Sequence, residues 1–319
     1  MGLDINGTQF ILYAKTLGVD FIRTATIGRQ GLHLSPSDFK ANLLKFGYSF
    51  DDRSIERIFT ESNRYAEAFF RSLGSEEVHS LDYSAYEGAT YVHDMNTPIP
   101  ENLKRQYSVV LDGGSLEHVF NFPVAIKNCM EMVRVGGHYL AITPANNFMG
   151  HGFYQFSPET FFSIFSPSNG YELDCLIAFE DNPTAKWYLV TNPASIKSRV
   201  TLTNSRPVYL LIVAKRIEDI EPFQSMPQQS DYITTWNQKN SDDDSFSATS
   251  GEIEKKRSAL LTIAQCYTSL SIKRIAKLLF RSSQQNAGFD PRFFTSLIRT
   301  DGAASPNKTL HSAVLHNGM

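Results

Sequence analysis

The chain has 319 residues, 42% of them apolar and 20% charged, with a formal net charge of -3. A chain of this length can bury a sizeable core in one large domain or two modest ones, and this charge balance excludes a polybasic nucleic-acid binder. Three cysteines, Cys129, Cys175 and Cys266, stand apart without a C-x-x-C pair, so neither a disulfide framework nor a zinc site is indicated.

No stretch approaches the roughly 18 apolar residues of a membrane span. The first residues also lack the basic start and apolar run of a signal peptide, so a cytoplasmic protein is expected. From about residue 19 to residue 217, short β-rich runs alternate with helical patterns, the rhythm of an α/β sheet. The first strand is expected in "VDFIRTATI". "SPSDFKANLLKFG" then reads as a Ser-capped helix, and "SIERIFTESNRYAEAFFRSLG" as a second helix, with apolar residues at helical spacing up to Gly74. Strands follow at "EVHSLDY", "ATYVHDM" and "YSVVLDG". Pro123 opens a helix with Ala125, Ile126, Cys129, Met130 and Val133 on one face, and "GHYLAITP" completes a β-α-β unit. "ELDCLIAFE" and "VYLLIVAKR" bring the expected strands to seven.

Residues 218–250 turn polar and read as a linker. Residues 251–300 read as a basic helical extension opened by a Thr249–Glu252 capping box, and 301–319 as a disordered tail. Such a basic amphipathic helix most often packs as a solvated face; it also suits a peripheral membrane surface or a protein partner.

In an open α/β sheet, ligands bind beyond the carboxyl ends of the strands. Three strands end there in acids: Asp82, Asp94 and Asp112, the last followed by Gly113 and Gly114. A carboxylate such as Asp82 can accept both hydroxyls of a ribose, and glycines let backbone approach a ligand closely. Each acid alone reads equally well as a turn former.

With "LDYSAYEGATYVHDMN", "LEHV", "VRVGGHYLAITP" and "NNFMGHGFYQFSPETFF", the chain resembles the class I S-adenosylmethionine-dependent methyltransferases over roughly residues 19–217. The resemblance implies a Rossmann-like sheet of seven strands, the last antiparallel. It also implies a methyltransferase domain over 1–217 with S-adenosyl-L-methionine as cofactor. It places Asp82 on the cofactor ribose, Asp94 with Met95 beside the adenine, and Asp112 with Gly113 near the methionine part. The family's glycine-rich D-x-G-x-G-x-G turn is replaced here by "TATIGRQGLHLS". Gly28 and Gly31 are its only glycines, no acid precedes them, and Arg29 or Gln30 is left to contribute. A non-catalytic binding or scaffold module is the alternative this departure raises. A nicotinamide oxidoreductase is disfavoured because G-x-G-x-x-G is absent after the first strand.

An oxygen acceptor gains from a base that removes its proton, and His118 and His151 follow the fourth and fifth strands. Asn146, Asn147 and Tyr154, interleaved with phenylalanines, suit a small polar or saccharide substrate; the same mixture also builds an ordinary packed loop. No metal is expected, because His33, His79 and His93 lack acids or cysteines at ligand spacing.

Overall fold

The computed structural model describes residues 2–233 and 288–297. The chain starts with strand β1 (Gly2–Leu3) and helix α1 (Ile5–Thr16), whose first turn is fixed by the Asp4 carboxylate accepting the Gly7 N–H at 2.7 Å. Strands β2 (Arg23–Ile27) and β3 (Gly31–Leu32) lead into helices α2 (Pro36–Lys45), α3 (Asp52–Glu61) and α4 (Glu67–Ser72). Strands β4 (Glu77–Asp82), β5 (Tyr91–Val92) and β6 (Tyr107–Gly113) come next, then helix α5 (Phe122–Met132) and strand β7 (Val133–Asn146). Helix α6 (Pro158–Ile164) precedes β8 (Tyr171–Glu180), β9 (Trp187–Val190), β10 (Val208–Arg216) and β11 (Phe294–Leu297).

One sheet runs β11-β9-β8-β10-β7-β6-β2-β4-β5. Strands β5, β4, β2, β6 and β7 are mutually parallel, whereas β10 is antiparallel to both β7 and β8. The seven strands expected from the sequence all form, and the last of them is the reversed one. Chain order changes direction between β2 and β6, where Ile27 pairs with Asp112. A crevice for a ligand belongs at such a reversal.

Strand β6 is buried along its whole length, as a central parallel strand must be, and its alternate residues serve opposite faces. Val109 and Leu111 join Phe10 and Ile11 of α1, Phe39 of α2, Phe59 of α3 and Phe69 of α4 in one core. Val110 joins Ala125, Ile126 and Met130 of α5 and Phe161 of α6 in the other. Helices therefore cover both faces.

The segment up to Gly74 and the residues beyond 217 differ from the expectations raised by the sequence, and helix α1 had none. The segment expected as one helix up to Gly74 is two, because Asn63 (φ 47°) and Arg64 (φ 64°) take the left-handed conformation between α3 and α4. The break lets Arg64 reach back: its carbonyl accepts the Leu32 N–H at 2.7 Å, and its guanidinium donates to the Leu34 carbonyl at 2.9 Å. Helix α1 carries no clear amphipathic signal. Its Thr8 and Gln9 are buried and meet Asn42 of α2, with Gln9 Nε2 2.7 Å from Asn42 Oδ1. In the expected C-terminal helical extension, residues 294–297 are instead edge strand β11 on β9; residues 251–287 and 298–300 of that extension and the 301–319 tail lie outside the described residues. Residues 218–233 of the expected linker are tied to the domain, Phe223 N–H to Asn169 Oδ1 at 2.9 Å and Ser230 N–H to Glu159 Oε1 at 2.8 Å.

Phe39 is fully buried, with its ring edge-on to Phe59 at 5.4 Å and to Phe69 at 5.0 Å, so it joins α2 to both helices around the break. Phe39→Ala is expected to cost about 3–5 kcal/mol of unfolding free energy, measured by urea denaturation. A loss below about 1 kcal/mol would show that Phe39 does not hold the helical layer together.

Candidate active site

At the reversal two turns face one another. The first, Gly28 to Gln30, leaves β2 with Gly28 at φ 71°, its N–H donating to the Leu81 carbonyl of β4 at 2.6 Å. Arg29 turns away from the crevice. Its guanidinium lies 3.9 Å above the Tyr65 ring, pairs with Glu67 at 2.6 Å and donates to the Glu87 carbonyl at 2.8 Å. These contacts clamp the turn from α4 and from the segment after β4. Gln30 turns inward and is 2% exposed, its Nε2 donating to the Ile27 carbonyl at 2.8 Å. Its Oε1 has no hydrogen-bond partner among the described residues.

The second turn leaves β6 at Asp112 and Gly113. A methyl group added at Gly113 would fall 2.3 Å from Gln30 Oε1, so the Gln30 amide lies directly over the bare glycine. Ser115 Oγ donates to the Ile27 carbonyl at 2.6 Å and joins the two turns. Asp112 is buried; its Oδ1 accepts the Ser115 N–H at 2.8 Å and the Leu116 N–H at 3.3 Å. Its carboxyl is pushed well above the usual range, first by burial and then by Glu117. Glu117, to which no role is assigned from the sequence alone, has a side chain 1% exposed, and burial raises its carboxyl too.

Glu117 organises the loops around it. Its backbone carbonyl accepts the N–H groups of Phe153 at 2.8 Å and Tyr154 at 3.2 Å, which pins the loop after β7 onto the turn after β6. Gly152 makes this possible, because at φ 67° a side chain there would sit 2.8 Å from the Glu117 carbonyl oxygen. The same loop brings His151 Nε2 within 3.4 Å of Glu117 Oε1 and stacks its ring edge-on to His118, centroids 4.9 Å apart. The two histidines expected at the site thus meet. Partial burial, then His151 beside it, holds His118 below the ordinary imidazole pKa.

The other expected residues spread along the same edge. Asp82 ends β4, half-buried, with Oδ1 accepting the Ser84 N–H at 3.3 Å and with exposed Tyr83 and Tyr86 after it. Asp94 accepts the backbone N–H of Asn96 at 2.9 Å and its side-chain amide at 2.7 Å; these bonds hold its carboxyl below the usual range. Met95 is buried beneath that turn.

Asn146 and Asn147 are tied to the segment at 204–206: Asn146 Nδ2 donates to Asn204 Oδ1 at 3.1 Å, and Asn147 Nδ2 to Asn204 Oδ1 at 2.8 Å and the Arg206 carbonyl at 2.7 Å. Tyr154 donates to the Phe120 carbonyl at 2.6 Å. Phe120, 71% exposed, and Phe153, 65% exposed, stand edge to face at 5.6 Å on the outer rim. No local sequence signal marks Gln30 as a filler or Phe120 as rim; "LEHV" holds Glu117 in view, but only the fold reveals its neighbours.

The two turns and the end of β4 present groups that fit a cofactor with an amino-acid end and a ribose. The orphaned acceptor of Gln30 over Gly113 meets the need of an ammonium donor, and the half-buried Asp82 carboxylate meets that of a diol.

No protein-family model matches the chain, and no curated protein matches it. Among solved structures it resembles a Listeria monocytogenes protein described as an S-adenosylmethionine-dependent methyltransferase, at 15% identity over 65% of this chain and 98% of that one, TM-score 0.36. It also resembles the 1,6-didemethyltoxoflavin-N1-methyltransferase of Burkholderia thailandensis, solved with S-adenosylhomocysteine bound, at 11% identity over 67% of this chain and 78% of that one, TM-score 0.33. A third is a branched-chain polyamine synthase of Thermus thermophilus in complex with 5'-methylthioadenosine, at 14% identity over 70% of this chain and 60% of that one, TM-score 0.33. With likeness at this level, the functional reading rests on the chain's own residues.

Asp112 and Glu117 bind their protons more tightly folded than unfolded. Their protonated forms therefore stabilise the fold fully below the ordinary carboxylate range, and the contribution is lost as pH rises through the raised values. Between about pH 4 and about pH 8 the melting temperature should fall, and fall less in Asp112→Asn, whose amide cannot ionise. Parallel profiles for the two proteins would show that Asp112 is not held neutral.

Proposed function

We propose that the chain is an S-adenosylmethionine-dependent methyltransferase acting on an oxygen of a small polar acceptor, a saccharide among the candidates. The observation that carries this reading is the pair of turns facing one another at the strand-order reversal, where Gln30 Oε1 is a buried acceptor without a partner among the described residues, above the bare backbone of Gly113. Gly28, Gly113 and Gln30 would hold the amino-acid end, Asp82 the ribose hydroxyls, and the turn at Asp94 and Met95 the adenine. When bound, S-adenosyl-L-methionine supplies a methyl group made electrophilic by its sulfonium.

The chain's own groups do the rest. Asp112 shapes the crevice wall by fixing the Ser115 and Leu116 amides, and kept neutral it places no charge beneath the methionine end. His151 is the candidate base for the acceptor hydroxyl. Glu117, 3.4 Å from its Nε2, would stabilise the imidazolium formed, and His118 lies against the same ring. Phe120 and Phe153 offer an apolar edge against which a sugar ring could lie, while Asn146, Asn147 and Tyr154 hold the loops that frame the acceptor side.

The proposal takes the enzyme to be cytoplasmic and its acceptor to be a small molecule or saccharide rather than a nucleic acid. Among the described residues no helix is long and apolar enough to cross a membrane. The C-terminal helix proposed to contact a membrane or a partner lies mostly outside those residues.

Isothermal titration with S-adenosylhomocysteine is expected to show binding that Asp82→Ala weakens by about tenfold or more, the loss of one to two charge-assisted hydrogen bonds. Gly113→Ala should push Gln30 off its seat and weaken binding likewise, with a melting temperature close to wild type because the obstructing atoms are the end of a flexible side chain. Undetectable binding by well-folded wild-type protein would replace this reading with the non-catalytic module.

A further inference from the structure

The fold assembles a ligand set that no spacing in the sequence announces. One donor atom each from Glu117, His118 and His151 lies within 4.8 Å of the others. Glu117 contributes from the turn after β6 and His151 from the loop after β7, joined by the Phe153 and Tyr154 amides on the Glu117 carbonyl. Close approach depends on glycines: a side chain at Gly114 would come 3.3 Å from Glu117 Oε1, and one at Gly152 2.8 Å from the Glu117 backbone oxygen.

The carboxylate of Glu117 is what points to an occupant. Its side chain is 1% exposed, Oε1 faces His151 Nε2 at 3.4 Å, and Oε2 has no hydrogen-bond partner among the described residues. A carboxylate withdrawn from water is costly unless donors or a cation satisfy it, and one imidazole contact at 3.4 Å satisfies little. Both histidines retain access to solvent, so positions not taken by protein would be open. Two imidazoles with one carboxylate suit first-row transition ions with open coordination positions; calcium and magnesium prefer all-oxygen sets.

We propose that Glu117, His118 and His151 bind one divalent transition cation, of the zinc, manganese or cobalt kind, with its open positions facing the acceptor side of the crevice. The binding itself does not depend on the function proposed above. Its role rests on that reading: the cation would hold the acceptor oxygen and lower the pKa of its hydroxyl, taking over from a free His151 base the task of releasing the proton. The histidines then act as ligands, and the hydroxyl proton leaves to solvent.

The test uses Co2+ and Zn2+ alone with the purified full chain. Co2+ titration followed by visible absorption should show one equivalent bound with nitrogen and oxygen ligation, displaced by Zn2+. Glu117→Gln, close in shape to the native side chain, and the double variant His118→Ala/His151→Ala, changed only at solvent-accessible positions, should each weaken binding by roughly 100-fold, as loss of direct ligands to a three-residue site requires. Circular dichroism confirms that both are folded. Absence of stoichiometric binding by the wild type, or undiminished binding by the folded double variant, overturns the site. S-adenosylhomocysteine affinity measured on the same proteins without metal separates the two ideas: cation binding without cofactor binding supports the site and sinks the methyl-transfer reading, whereas cofactor binding without cation binding does the reverse.

Discussion

The buried carboxyl of Asp112 is the constraint on which the rest of the site depends. It stands at the end of the central strand β6 and takes two backbone N–H groups, from Ser115 and Leu116, at the start of the turn that follows. Those bonds fix the path from Gly113 to His118. The Ser115 hydroxyl can then reach the Ile27 carbonyl, the Gly28–Gln30 turn is held against Gly113, and the Glu117 carbonyl is presented to the loop after β7. The seat of Gln30 over Gly113 and the histidine cluster are two consequences of one capped turn.

Burying two acids side by side is costly, since each carboxyl loses water and each repels the other's charge. The structure reduces that cost by keeping Asp112 neutral, its pKa raised by burial and by Glu117. Glu117 remains under-satisfied. Such a group is expected at a site that acts on something, because an acid of purely structural purpose would be replaced by a neutral side chain of similar shape at little cost. The clamps on Arg29 show the same division of labour: its charge is used against Tyr65, Glu67 and Glu87 to hold the turn, leaving Gln30 to turn inward over Gly113.

Much of the fold was legible because its cause is periodic. The alternation in "YSVVLDG" and the helical spacing from Phe122 to Val133 encode a buried strand and its crossover helix, and both form where expected. Helix α1 was not legible. Its buried Thr8 and Gln9 pair with Asn42, more than thirty residues away, so polar positions that read as surface belong to the core. The break at Asn63 and Arg64 escaped for a related reason, since the carbonyls that stabilise it belong to Leu32 and Leu34. Along this sheet edge, the position of the strand-end acids and the two histidines could be read locally. The fit of Gln30 over Gly113 and the meeting of Glu117 with His151 could not, because each joins loops that leave different strands.

A crystal structure of the chain with S-adenosylhomocysteine tests the central claim most directly. The amino-acid end of the ligand is predicted to lie over Gly113, with its ammonium on the Gln30 amide oxygen and the ribose hydroxyls on Asp82. A well-ordered crystal grown at saturating ligand in which the Gln30 amide oxygen makes no contact with the ligand and Asp82 faces only water would contradict it.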